Sequence, residues 1–229
     1  MIYAVIAVVF LALMFGPQMW VRRVIAEHSD ERPDFPGTGG ELARHLLDEA
    51  GLDDVPVEVL PADGGDHYDP GAKAIRLSPS HHNGRSVTAV AIAAHEVGHA
   101  LQDADGYRPL ALRTRLATAA QKIQGIGSIL LIGAPIVMAI TRKPSILLLE
   151  LGAGLAILAT GIVVHLITLP VEIDASFSRA LPILQRGGYL NKDDLPGAKK
   201  VLRAAALTYI AAAMVSLLDV MRWLRLLRF

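Results

Sequence analysis

Ser86-Val-Thr-Ala-Val-Ala-Ile-Ala-Ala-His-Glu-Val-Gly-His-Ala-Leu-Gln102 is the stretch that decides how this chain folds and where its chemistry sits. Its alanine- and valine-rich first half predicts a helix, on which His95 and His99 project from one face. Two neutral imidazoles so placed can hold one metal ion, zinc above all. Glu96 then lies beside the ion, free to take a proton from an attacking water. Residues around the motif are apolar on nearly every side, so two histidines and a glutamate there need a reason to be buried. Gly98 costs a helix interior roughly 0.5–1 kcal/mol against alanine. That is understandable if a substrate or another backbone comes close.

The surrounding composition is that of a membrane protein. Hydrophobic residues make up 52% of the 229 and are gathered into blocks instead of being spread along the chain. Residues 1–21 form the first block, an uncharged N-terminal span from Ile2 to Trp20 with Trp20 at headgroup depth and Arg22 and Arg23 beyond it. No basic segment precedes this block and no small-residue cleavage site follows it, so it reads as an anchor and not as a signal peptide. Residues 125–169 hold two more blocks, Gly125–Ile140 and Ile146–Leu169, joined by Thr141-Arg-Lys-Pro-Ser145. That link is too short to recross a bilayer, so the pair is an antiparallel transmembrane hairpin. Residues 204–221 are a fourth span, and 222–229 a basic amphipathic tail suited to an interface.

Residues 22–124, between the anchor and the hairpin, are polar enough to face water and form the expected catalytic domain. Such a domain is small and should lean on the membrane helices to complete its core. Thr38-Gly-Gly-Glu41 is a capping-box pattern, opening a helix through Leu42, Leu46 and Leu47 that stops at Gly51. Val55–Leu60 and Lys73–Ser78 read as short strands, with the turn-rich Asp63–Gly71 between them. Pro56 marks the first strand as an edge, and an edge beside a metal helix can pair with an extended peptide. The fold expected is therefore mainly α, a multi-span helical membrane protein with a small α+β zincin-like domain of HExxH helix and short edge sheet.

A zinc peptidase needs a third protein ligand and an open fourth position. The chain has no cysteine, which leaves histidine or a carboxylate. The candidate is Glu172 in Leu169-Pro-Val-Glu-Ile-Asp-Ala-Ser176, the start of a ligand helix and loop over residues 170–203. Two crossings separate His99 from Glu172, so both lie on one side of the bilayer.

Several segments together resemble the YugP-like membrane zinc metallopeptidases, also called neutral zinc metallopeptidases: His67-Tyr-Asp-Pro70, Asn83-Gly-Arg-Ser86, Ala94–Gln102, Gly106-Tyr107 and Leu169–Ser176. With the N-terminal anchor, the likeness spans nearly the whole chain. It implies a gluzincin-type membrane peptidase with one Zn2+ per chain on His95, His99 and Glu172, and with Glu96 as catalytic base. HtpX-like peptidases are a looser comparison, placing a Glu-x-x-Ala-Asp motif after their membrane helices. Ser176 stands here where that aspartate would be.

Other polar residues are weighed against simpler roles. Asp174 and Ser176 are candidates to orient a zinc ligand from behind, although two residues along a helix turn Asp174 away from Glu172. His67 and Tyr68 are candidate oxyanion donors or simple turn residues. His165, inside the third apolar block, reads as a packing residue of the bundle. His81 and His82 read as loop residues. The function expected is zinc-dependent endoproteolysis at a membrane surface, acting on a polypeptide, with membrane proteins among the candidate substrates. The rival classes are a scaffold with a structural zinc, which has no need of Glu96, and a metal transporter with a path past His165 and Glu150. A net charge of zero, with no basic and aromatic patch, gives nothing for nucleic acid to bind.

Positive charge near span ends sets orientation. Arg22, Arg23, Arg113, Arg115, Lys122, Arg179, Arg186, Lys199, Lys200 and Arg203 flank the side with the HExxH motif, against Arg142, Lys143, Arg222, Arg225 and Arg228 opposite. The protein is therefore expected in the cell membrane as a multi-pass chain, with the catalytic domain in the cytoplasm. A single cysteine introduced as Ser80→Cys should react with an impermeant thiol reagent only after cells are opened; ready labelling of intact cells would reverse the orientation.

Overall fold

The computed structural model describes the backbone of residues 2–61 and 65–226, and their side chains except at residues 2–10, 13, 14, 128, 131, 158 and 218–226. Eight α-helices and three short strands are found in those residues. Helix α1 (Ile2–Glu27) is followed by α2 (Gly39–Glu49), strands β1 (Val57–Val59), β2 (His67–Asp69) and β3 (Ala74–Leu77), then α3 (Pro79–His82) and α4 (Val87–Ala104). Next come the long helices α5 (Arg108–Thr141) and α6 (Pro144–Ile173), a π-helical turn (Asp174–Ala180), α7 (Leu181–Gly187) and α8 (Leu195–Leu226).

The residues divide into two compact units. One comprises Gly16–Ala111 and Leu169–Thr208, so segments from before and after the helical hairpin share a core. Helix α4 runs through its middle and is buried at every position from Val87 to Ala100. Ser86 caps it, its hydroxyl accepting from the Ala89 N–H at 3.1 Å. Most of its residues are small, which lets neighbours approach closely: a Cβ on Gly39 of α2 would stand 2.8 Å from the Ala89 carbonyl oxygen. Around α4 pack Leu42, Leu46 and Leu47 from α2, Ile75 and Leu77 from β3, Leu184 from α7, and Val201 and Leu202 from α8.

Helix α2 forms where the capping pattern places it. The Thr38 hydroxyl accepts from the Glu41 N–H at 3.2 Å while the Glu41 carboxylate accepts from the Thr38 N–H at 2.7 Å, and Gly51 leaves the helix with φ 68°. The sheet has order β1-β3-β2, with β1 parallel and β2 antiparallel to β3. Pro56 indeed precedes an edge strand, but β2 lies inside the segment read as connection. Asp69 explains it: its carboxylate accepts the N–H groups of Gly71 and Ala72 at 2.8 and 3.1 Å, closing a hairpin onto Ala74. The turn signals Asp-Pro-Gly thus belong to a hairpin whose strand is too short and polar to show alternation. Of the expected connection, Asp63 and Gly64 lie outside the described residues. Strand β1 packs on α2, whereas β2 and β3 pack on α4.

The other unit is Met1–Phe15, Leu112–Thr168 and Tyr209–Phe229. Among the described residues, three helical stretches are long and apolar enough to cross a membrane: Arg108–Thr141, Pro144–Gly187 and Leu195–Leu217. Their large side chains stand outward, Ile132 and Ile140 each 77% exposed and Leu149 75%, as lipid contact requires and water would penalise. Residues 142 and 143 alone separate α5 from α6, with Arg142 at φ 53°. The expected fourth span is part of α8, which begins earlier, at Leu195, and continues without a break into the tail. The side chains of residues 2–10 in the anchor, and of the tail from residue 218 on, lie outside those described.

Replacing Thr38 by alanine removes the hydroxyl that caps the Glu41 N–H while leaving the buried face of α2 intact, so stability should fall by about 1 kcal/mol. Denaturant titration of the variant against the parent protein reads it.

Candidate metal centre

The i, i+4 spacing on α4 stacks the His95 and His99 rings edge to face, centroids 4.7 Å apart. Both are buried, at 4% and 5% exposure, as are Glu96 at 5% and Glu172 at 2%. Glu172 comes from the end of α6, and its Oε2 lies 3.2 Å from His95 Nε2 and 3.4 Å from His99 Nε2. Among the described residues, these three make the group able to hold a metal ion, with all their ligand atoms within 4.8 Å of one another.

The hydrogen bonds behind the rings decide what those ligand atoms offer. Gln102 donates its amide N–H groups to the Val171 carbonyl at 2.9 Å and to Asp174 Oδ2 at 2.8 Å. Its Oε1 is thereby turned to His99 Nδ1, 2.9 Å away. A carbonyl oxygen only accepts, so Nδ1 carries the hydrogen and Nε2 of the neutral ring presents a lone pair. Ser176 Oγ donates to the Leu202 carbonyl at 3.3 Å, which leaves it to accept from His95 Nδ1 at 3.0 Å. His95 therefore also presents a lone pair at Nε2. Two imidazole nitrogens and a carboxylate oxygen converge as acceptors in a dry core, an arrangement that calls for positive charge at its centre. Burial lowers the His99 pKa, but Glu172, Glu96 and Gln102 around it together raise it above the ordinary value, the same preference expressed in proton affinity. Two nitrogens and one carboxylate, with no sulfur, are a donor set that fits catalytic zinc.

Geometry at the end of α6 brings Glu172 into reach. A Cβ on Gly98 would stand 2.7 Å from the Ala175 carbonyl oxygen and 3.3 Å from its Cα. Another backbone, then, is what Gly98 makes room for. The wider π-helical turn starts at Asp174, immediately after α6; such turns gather at functional sites because they redirect side chains within a continuous helix.

Glu96 is held differently. Burial pushes its carboxyl above the ordinary value; the two histidines oppose this, and the charges of Glu172 and Asp66 reinforce it. A carboxylate with raised proton affinity is a stronger proton acceptor than an ordinary one.

Of the other singled-out residues, Ser176 touches a candidate ligand directly. Asp174 stands one step further off, meeting Gln102 and not a histidine, and it also accepts from Arg179 Nε at 2.9 Å. Tyr68 donates its hydroxyl to Asp103 Oδ2 at 2.9 Å, and His67 Nδ1 meets the Gly65 carbonyl at 2.8 Å. His165 belongs to the other unit, its ring 6.2 Å from that of Tyr209. His81 and His82 are not loop residues but form α3, with His81 Nδ1 2.7 Å from Asp66 Oδ2. Gln102 and Arg179 had no place among the predicted site residues. Gln102 is three residues from His99 on one helix, a spacing that puts them side by side and could have flagged it; Arg179 carries no such signal.

A sequence model of the family described as "Putative neutral zinc metallopeptidase" matches residues 3–228. The chain is 37% identical over 223 residues to "Putative membrane protease YugP" of Bacillus subtilis (strain 168), covering 97% of this chain and 95% of that one. No solved structure matches.

Alanine at Gly98 would force the Ala175 backbone, and Glu172 with it, away from the histidines. Gly98→Ala should therefore weaken zinc binding and lower the melting temperature together, in calorimetry with and without metal; a variant unchanged in both would refute the close approach.

Proposed function

The chain belongs to the family described as neutral zinc metallopeptidases, and from that membership we propose that it is a membrane-bound zinc-dependent endopeptidase cleaving peptide bonds at the membrane surface. The observation that carries the reading is the convergence of His95 Nε2, His99 Nε2 and Glu172 Oε2 beside a buried carboxyl, Glu96, that is not needed to hold a metal. His95, His99 and Glu172 would hold one zinc per chain, leaving a coordination position open. Zinc held there supplies a Lewis acid that polarises a carbonyl and makes water easier to deprotonate.

The chain's residues do the rest. Ser176 and Gln102 keep both imidazoles in the tautomer that binds metal. Glu96 accepts a proton from the attacking water as its oxygen bonds to the scissile carbonyl carbon. The same carboxyl returns that proton to the amide nitrogen as the C–N bond breaks, so no covalent enzyme intermediate is required. Pairing of an extended substrate strand, expected at β1, suits β2 better: β2 packs on α4, and among the described residues it pairs only with β3. Three long apolar helices support a multi-pass membrane protein, and the basic residues around the motif side support a cytoplasmic active site.

Glu96→Gln should keep zinc and lose cleavage of a generic substrate such as casein by a hundredfold or more, on the order expected for loss of a general base. Glu172→Ala should lose the metal itself, read by elemental analysis of the purified protein. Cleavage at the parent rate by Glu96→Gln would end this mechanism, and full zinc occupancy in Glu172→Ala would move the third ligand elsewhere.

A further inference from the structure

We propose that Arg179 is a positioning residue for the metal centre, acting on His99 through Asp174 and Gln102. The inference rests on reading His95, His99 and Glu172 as metal ligands. Arg179 reaches two carboxylates: Nε donates to Asp174 Oδ2 at 2.9 Å and Nη1 to Asp105 Oδ2 at 2.6 Å, with the guanidinium 5.9 Å from the centre of the Tyr107 ring. Asp105 caps the C-terminal end of α4, the helix of both histidines, and Asp174 opens the π-helical turn just after Glu172. One cation thus ties together the two segments that supply the ligands.

The polarity of the string runs one way. A guanidinium only donates and a carboxylate only accepts, so Asp174 Oδ2 presents an acceptor to Gln102 Nε2 at 2.8 Å. Gln102 is fully buried, so its amide cannot turn towards solvent. Its nitrogen faces Asp174 and Val171, its oxygen faces His99 Nδ1, and the ring hydrogen is fixed at Nδ1. Without Arg179, the Asp174 carboxylate loses its counter-charge and can swing to solvent. Gln102 then loses one of the two acceptors that set its orientation. A flipped amide would present N–H to Nδ1 and favour the tautomer with hydrogen on Nε2, the atom that must face the metal.

The local backbone makes the string possible. Residues five apart point about 140° away from one another on an α-helix, whereas the wider π turn brings Arg179 back over Asp174.

The test uses the full chain in detergent, with the zinc dissociation constant from chelator competition, the visible spectrum of the cobalt(II)-substituted protein, and melting of the metal-free form. Arg179→Gln should weaken zinc binding 10–100-fold, roughly the effect of losing a group behind a metal ligand, and should alter the cobalt spectrum. Arg179→Lys should fall in between, because an ammonium keeps the charge but not the fork that spans both carboxylates. Asp105→Asn, at a largely exposed end of the string, should show a smaller loss in the same direction and stands in if Arg179→Gln does not fold. Parent-like zinc affinity and cobalt spectrum in the folded variants would overturn the proposal, even if their metal-free melting temperature dropped. A parent protein that takes up no metal would overturn the ligand reading and this one with it; a metal-binding parent with unaltered variants removes only the role of Arg179.

Discussion

Three acceptor atoms meeting in a buried core is the constraint on which the unit with the candidate metal centre depends. Left to themselves, two imidazole lone pairs and a carboxylate repel one another, and taking them out of water costs several kcal/mol. The unit is built around making that meeting possible. Helix α4 is buried along nearly its whole length, and its small residues let α2, the sheet and the turn after α6 close on it from all sides. Hydroxyl and amide groups at Ser176 and Gln102 then settle which ring nitrogens carry hydrogen, so that the lone pairs point inward.

Much of this was legible in residue order. The spacing of His95 and His99, the capping box at Thr38, the apolar blocks and the short link between α5 and α6 are local patterns, each with one dominant physical outcome. What could not be read depends on partners distant in sequence. Strand β2 is three residues of mixed polarity, stabilised by an Asp69 turn and by pairing with β3, so it leaves no alternating signature. The π-helical turn has no compositional mark. Without it the contact between Asp174 and Arg179 cannot be foreseen, because an α-helical reading points the two apart. Ser176 shows the intermediate case: its position was singled out, but only the fold reveals that its hydroxyl bonds His95, at the place where the looser relatives carry an aspartate.

The same contrast applies to polar residues in apolar surroundings. Glu172 and His165 both sit near or within long apolar stretches, and composition alone treats them alike. Their surroundings differ: Glu172 is 2% exposed and meets two imidazoles, while His165 lies beside a tyrosine ring in the other unit. Burial with converging partners, not burial by itself, separates a ligand from a packing residue.

Glu172 lies 77 residues beyond His95 along the chain, at the far end of the α5–α6 hairpin. A ribosome making this protein therefore releases both histidines and Glu96 long before Glu172 exists, and the closing turn with Ser176 and Arg179 follows later still. The growing chain holds only part of the candidate centre for that interval. Connectivity alone thus keeps the candidate centre incomplete until the hairpin has been made.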